Sequence, residues 1–133
     1  MLKVVGTLFI KDRKLLLNQP RKRPIYQLIA GKMEEGETPA EAIYREACEE
    51  LITNTLKPEL FEFLMNFKET ASSDPNLKID YYLFNYTGDL NFKLQTSEEI
   101  TNFVWYDTKT NVPLSPTLEH IVIPYCIQNN LID

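Results

Sequence analysis

Glu46, Glu49 and Glu50 stand at i, i+3 and i+4 in a stretch that has every mark of a helix. Thr38 offers a hydroxyl as cap, Pro39 suits the first helical position, and Glu41 completes a capping box. Ala40, Ile43, Ala47 and Leu51 then recur at helical spacing and mark a buried stripe. Side chains at these three spacings project from one face about 5–6 Å apart. Like charges repel there, and the last turns of a helix already carry the negative end of its dipole. A bound divalent cation removes both objections. The plainer reading is a solvated acidic face, with Arg45, four residues from both Glu41 and Glu49, neutralising part of the charge.

The residues leading into this helix decide between the two. Gly31 is followed after five residues by Glu37, and after seven more by Arg45-Glu46, then Glu49-Glu50. This pattern resembles the signature of the Nudix hydrolases, G-x5-E-x7-R-E-U-x-E-E-x-G-U, where U is a bulky aliphatic residue. Ile52 stands in place of the last glycine, Thr53 in place of the last aliphatic residue, and Ala47 is a small version of the first. That glycine ends the family's helix in a left-handed conformation, which costs a β-branched residue roughly 1–2 kcal/mol. The helix is therefore expected to run a residue or two further and stop at Asn54. Just before the box, Leu28-Ile29-Ala30-Gly31 replaces the common L-P-G-G, and Ala-Gly is a variant associated with members acting on ADP-ribose-like dinucleotides.

The resemblance implies an α/β fold, a Nudix-like α/β/α sandwich with a mixed β-sheet between helices. It implies Mg²⁺, with Mn²⁺ as the other choice, held by Glu46, Glu49 and Glu50 and by the backbone carbonyl of Ala30 or Gly31. Arg45 and Glu37 then bridge the loop to the helix and keep the carboxylates in place. A general base is expected from Glu49 or from Glu98-Glu99, with Glu99 preferred of that pair; two acidic residues in a solvated loop is the plainer reading. The chemistry suits the donors. Anionic oxygens of a phosphoanhydride repel an incoming nucleophile, and an oxygen-ligated cation neutralises that charge and lowers the pKa of a bound water.

At 133 residues and 44% hydrophobic, the chain reads as one domain over 1–133 with enough apolar residues for a core. The apolar run Val4–Ile10 is too short to span a membrane, no signal-peptide pattern follows it, and Cys48 and Cys126 match no metal motif. A cytoplasmic protein with buried free thiols is expected. A net charge of −5 argues against a surface for nucleic acid polymers, leaving a small nucleotide as partner and a monomer or homodimer as the assembly. The one basic cluster, Arg21-Lys22-Arg23, is bounded by Pro20 and Pro24. It reads as an exposed turn, from which Arg21 or Arg23 can grip a phosphate. Tyr26, Phe67, Tyr81 and Tyr82 are candidates to stack on a base, although aromatics at strand spacing are more often core, as Trp105 is taken to be. His120 falls on a polar helix face and is assigned no role.

In outline, Val4–Ile10 and Lys14–Leu17 read as a hairpin, Tyr26–Ile29 as a short strand entering a Gly31 loop, and 58–70 and 77–87 as strands joined by the polar loop Thr70–Asn76. Phe103–Tyr106 reads as a further strand. Ser115-Pro116 opens a second helix, which Pro124 should kink or interrupt for one turn. The function expected is a Nudix pyrophosphohydrolase cleaving a nucleoside diphosphate linked to another group. A nucleoside triphosphate, normal or oxidised, leads; an ADP-ribose or sugar-nucleotide pyrophosphatase is the alternative. Two readings of other classes are a nucleotide-sensing module without catalysis and an acidic domain whose carboxylates bind Ca²⁺ or nothing.

Overall fold

In the computed structural model, which describes residues 1–71 and 74–133, the chain has an α/β fold of mixed sheet and two helices. It divides into two compact units, one of residues 1–8 and 29–92, the other of residues 9–28 and 93–133.

In the first unit, strand β1 (Leu2–Leu8) lies between β4 (Gln27–Lys32) and β6 (Lys78–Tyr86), with β5 (Phe61–Thr70) beyond β6. The β1–β6 pairing is parallel and runs from Leu2↔Ile79 to Leu8↔Asn85; the others are antiparallel, with a register shift between Phe63 and Met65. Helix α1 (Pro39–Leu51) buries Ala42, Ile43, Ala47 and Leu51. Ala40, expected in that stripe, is exposed and Ala42 is buried instead. Both lie near the helix start, and a narrow stripe is easily misphased by half a turn there. The loop expected over Thr70–Asn76 includes Ser72 and Ser73, which lie outside the described residues.

In the second unit, β2 (Ile10–Lys11) and β3 (Lys14–Pro20) form the hairpin, turning through Asp12 and Arg13, both at positive φ. The expected hairpin was longer: Val4–Leu8 pairs with β4 and β6, not with β3. Two adjacent left-handed residues give the tight turn that suits a two-residue connection. β3 also pairs with Leu28 and Gln27 at the start of β4, and with β7 (Ile100–Tyr106), where the register shifts between Gln19 and Pro20. The second helix comes in two pieces: a π-helical turn over Leu118–Val122, then α2 (Ile123–Gln128) with Pro124 in its first turn. Helical backbone runs unbroken from Pro116 into α2, and the π-helical turn directly before Ile123-Pro124 is the interrupted turn that the proline was expected to cause if it did not kink the helix. Arg13 reaches the chain's last residues, donating to the Asp133 carboxylate, to the Asn130 carbonyl at 3.1 Å and to Asn130 Oδ1 at 2.8 Å. Trp105, taken for core, is half-buried, while Cys126 is buried and its thiol is pushed up to about 12 by that burial.

Candidate active site

The chain enters α1 through a turn that only glycine adopts without strain, Gly36 at φ +86°. Thr38 then caps the helix as expected. Its hydroxyl accepts the Glu41 N–H at 3.2 Å, and the Glu41 carboxylate accepts the Thr38 N–H at 2.9 Å. Glu41 is therefore committed to the cap rather than to Arg45.

Arg45 is the hub of the site. Its Nε donates to Glu37 Oε2 at 2.7 Å and Nη2 to Glu37 Oε1 at 3.0 Å, a fork-to-fork pair that ties the loop to the helix. Nη1 donates to Glu46 Oε1 at 2.9 Å and to Glu49 Oε2 at 3.3 Å. Nη2 also reaches the Lys32 carbonyl at 3.1 Å, and Glu34 lies 3.6 Å from Nη1. Hydrogen bonds from Arg45, reinforced by the Glu34 N–H, hold the Glu37 carboxyl at about 2, well below its ordinary 4.5. Burial pushes the Glu46 carboxyl up, although the Arg45 hydrogen bond and charge oppose it. Glu49 is the open member of the group, its side chain 61% exposed against 16% for both Glu37 and Glu46.

Gly31 explains why Glu46 can sit where it does. A Cβ built on this residue would fall on the Glu46 carboxyl group, so only glycine leaves that carboxylate its place against the strand. Gly31 was expected in a loop; it lies within β4, paired with Val5, and close approach of a side chain to the strand is what the glycine provides. Further along the helix, Glu50 Oε2 is buried. The Tyr81 phenol is buried and raised, first by desolvation and then by the Glu69 and Glu50 carboxylates. Its ring lies against Gly6, where a side chain would collide with it, and stacks on Phe67 at 4.8 Å between centroids.

Among the described residues no three acidic, His or Cys side chains already form a metal cage. The donors nonetheless fit a hard divalent cation: Glu46 and Glu49 each bring an oxygen to one guanidinium nitrogen, and the Gly31 cradle keeps Glu46 in place. Ala30 precedes Gly31 in the same strand.

The helix ends at Leu51, not at Asn54. Ile52 takes the left-handed conformation, φ 50° and ψ 55°, that the glycine of the pattern would have taken. Backbone bonds to Cys48 O from Ile52 and from Thr53 close this end and offset the strain. Arg21, Arg23, Tyr26 and Glu99 belong to the second unit. The Arg21 guanidinium donates to the carbonyls of Glu98 at 2.6 Å and Ser97 at 3.3 Å, and Glu98 and Glu99 have exposed side chains. Tyr26 is buried and its hydroxyl accepts from Asn102 at 2.7 Å. The Lys32 carbonyl and Glu34 join the hub without having been singled out in the sequence. Gly6 was missed as well; a glycine inside an apolar strand is the one signal that marks a close approach there.

A family model for the NUDIX domain matches residues 2–121. Among solved structures, the chain is similar to the MutT protein from Methanosarcina mazei Go1 (TM-score 0.76, 16% identity, 96% of this chain and 94% of that one). It is also similar to the E. coli dihydroneopterin triphosphate pyrophosphohydrolase (TM-score 0.68, 17% identity, 95% of each chain). A UDP-X diphosphatase aligns at TM-score 0.73 and 20% identity over 97% of this chain, which spans 63% of that protein. No curated protein sequence resembles the chain closely enough to count as a relative. No helix among the described residues is long and apolar enough to cross a membrane. Nudix hydrolases use divalent metal ions and act on small nucleotide derivatives. The glycine-cradled glutamate, the arginine hub and a family match over nearly the whole sequence agree: the chain belongs to the Nudix hydrolase family and is a hydrolase of pyrophosphate bonds.

Proposed function

We propose that the chain works as a single Nudix hydrolase domain in the cytoplasm, splitting a nucleoside triphosphate, normal or oxidised, into monophosphate and pyrophosphate. The observation that carries this reading is the Arg45 hub, which gathers Glu37, Glu46 and Glu49 and leaves Glu49 open to solvent. Glu46, Glu49 and Glu50 would hold Mg²⁺ or Mn²⁺, with the carbonyl of Ala30 or Gly31, and the cation supplies charge neutralisation and a more acidic water. Arg45 and Glu37 position those carboxylates. Water oxygen bonds to one phosphorus of the α–β anhydride as its P–O bond to the bridging oxygen breaks, and the departing phosphate oxygen keeps the bonding electrons. The water's proton goes to a carboxylate, Glu49 in the first instance and Glu99 as the other choice. Arg23, on the turn that Arg21 braces, offers its guanidinium to a substrate phosphate, and Tyr26 follows it in the same unit.

A second reading, a sugar-nucleotide or ADP-ribose pyrophosphatase, is favoured by Ala30-Gly31 and by the likeness to a UDP-X diphosphatase.

The test is phosphate and pyrophosphate release from a nucleotide panel with Mg²⁺, Mn²⁺ or no metal. The panel holds the common triphosphates, 8-oxo-dGTP, ADP-ribose, a diadenosine polyphosphate and a UDP-sugar. Metal-dependent pyrophosphate release from a triphosphate is the expected result. Cleavage of the UDP-sugar or ADP-ribose alone moves the assignment to the second reading, and nucleotide binding without turnover leaves a sensing module. Gly31→Ala is expected to retain the wild-type melting temperature, because the displaced Glu46 carboxyl group is flexible, yet lose most turnover.

A further inference from the structure

The Pro20–Pro24 turn carries three cations in succession on a chain of net charge −5. The Arg23 N–H donates to the Pro20 carbonyl at 3.3 Å, closing the turn, and a proline at each end restricts its backbone. Arg21 stitches the turn to the segment before β7: its N–H donates to Glu99 O at 2.7 Å, and its guanidinium donates to the Glu98 and Ser97 carbonyls. Thr101, passed over by the register shift of β7, donates its hydroxyl to Gln19 O at 3.2 Å. The result is a pocket of about 280 Å³ lined by Gln19, the turn and Thr101, with no carboxylate in its wall.

Arg21 has spent its fork on carbonyls. Lys22 and Arg23 are exposed, and neither has an ionic or hydrogen-bonding side-chain partner among the described residues. We infer that the turn is a binding site for a phosphate or diphosphate group, with Lys22 and Arg23 making the ionic contacts and Arg21 holding the turn in place. The ligand class follows from the donors. Two cations with only N–H groups to offer, one a planar fork, suit an anion of several oxygens. The size restricts it further. Pockets that enclose drug-sized molecules run to roughly 300–1,000 Å³, so this one takes the anionic end of a ligand rather than a whole nucleotide. The inference rests on the proposed function only for the source of the phosphate, which is a substrate tail or the free anion.

The experiment titrates inorganic pyrophosphate into the full chain without divalent cations, by calorimetry and amide chemical-shift mapping, so hydrolysis plays no part. Binding that weakens several-fold from about 50 to about 200 mM salt is expected, with shifts centred on the amides of residues 21–23 and Thr101. Lys22→Ala/Arg23→Ala together should weaken it roughly tenfold or more at an unchanged melting temperature. Arg21→Gln should instead lower the melting temperature. Wild-type protein that does not bind pyrophosphate, or a double variant that binds it as wild type does, overturns the site. Arg21→Gln that abolishes binding at an unchanged melting temperature overturns the division of roles. A substrate found in the panel then separates the sources: a raised KM in the double variant identifies a substrate tail, and an unchanged KM with lost pyrophosphate binding identifies the free anion. A chain that binds pyrophosphate here but hydrolyses nothing keeps this site and loses the proposed activity.

Discussion

The two ends of α1 are built to different standards. At its start, Thr38, Pro39 and Glu41 satisfy the free N–H groups with a complete capping box, and a carboxylate sits where the dipole welcomes it. At its end, Glu49 and Glu50 occupy the last turn with no basic residue beside them in that turn, and a β-branched, half-exposed isoleucine is held in the left-handed region. A helix selected for stability alone would spread such costs or avoid them. Here they gather at the end that bears the carboxylates, while the start repays part of them. Arg45 stands between, converting repulsion among glutamates into a set of charge-assisted bonds.

Removing Arg45 should break this arrangement most severely. Arg45→Ala leaves Glu37 and Glu46 half-buried without their cation, and is expected to lower unfolding free energy by about 2 kcal/mol, less than a fully buried pair costs, with turnover lost. Urea unfolding checks it; an unchanged midpoint would mean the hub contributes nothing to the fold. Next, Thr38→Ala should cost about 1 kcal/mol through the lost cap, with kcat near wild type because no carboxylate moves. Ile52→Gly should act in the opposite direction and raise stability by up to about 1 kcal/mol, since relief of the left-handed strain exceeds the entropy glycine adds to the unfolded chain. A thermal melt showing Ile52→Gly to be the less stable protein would sink the idea that this end is strained.

The smallest effect is one of pH. The folded value of Glu37, about 2, lies below its ordinary 4.5, so its contribution is present above about 4.5 and is lost as pH falls toward 2. Glu37→Gln should therefore be less stable than wild type at neutral pH, with the gap narrowing across that window. Parallel pH profiles would rule out the pair as its cause.

Local chemistry made much of α1 legible beforehand. The capping box and the nearness of Glu46 and Glu49 connect residues within a turn or two of one helix, where spacing along the chain dictates spacing in space. The Arg45–Glu37 bridge was implied by the family resemblance alone, since spacing paired Arg45 with Glu41 and Glu49. The helix end was misjudged because the cost of Ile52 is local and visible, whereas the bonds from Ile52 and Thr53 to Cys48 appear only once the turn has closed. The partners of β1 were not legible at all. Nothing in Leu2–Leu8 says that it runs parallel to residues 79–85 rather than back along β3. Gly31 was given a loop for a related reason: its purpose is set by Glu46, fifteen residues on, and by Val5 in a strand already passed.

That parallel pairing also sets a timetable for the chain as it is made. Leu2 waits for Ile79, and Arg13 waits for Asn130 and Asp133, so each unit has its first strand finished long before the partner exists. Separations of this kind slow folding, because the entropy of closing a long loop is spent before the contact returns anything. Helix α1, by contrast, carries its own start signal and can form while β1 is still unpaired. On the ribosome helix α1 can therefore be assembled early, and the sheet that bears Gly31 against Glu46 late, so a half-made chain has its carboxylates on a helix but lacks the finished sheet beneath them.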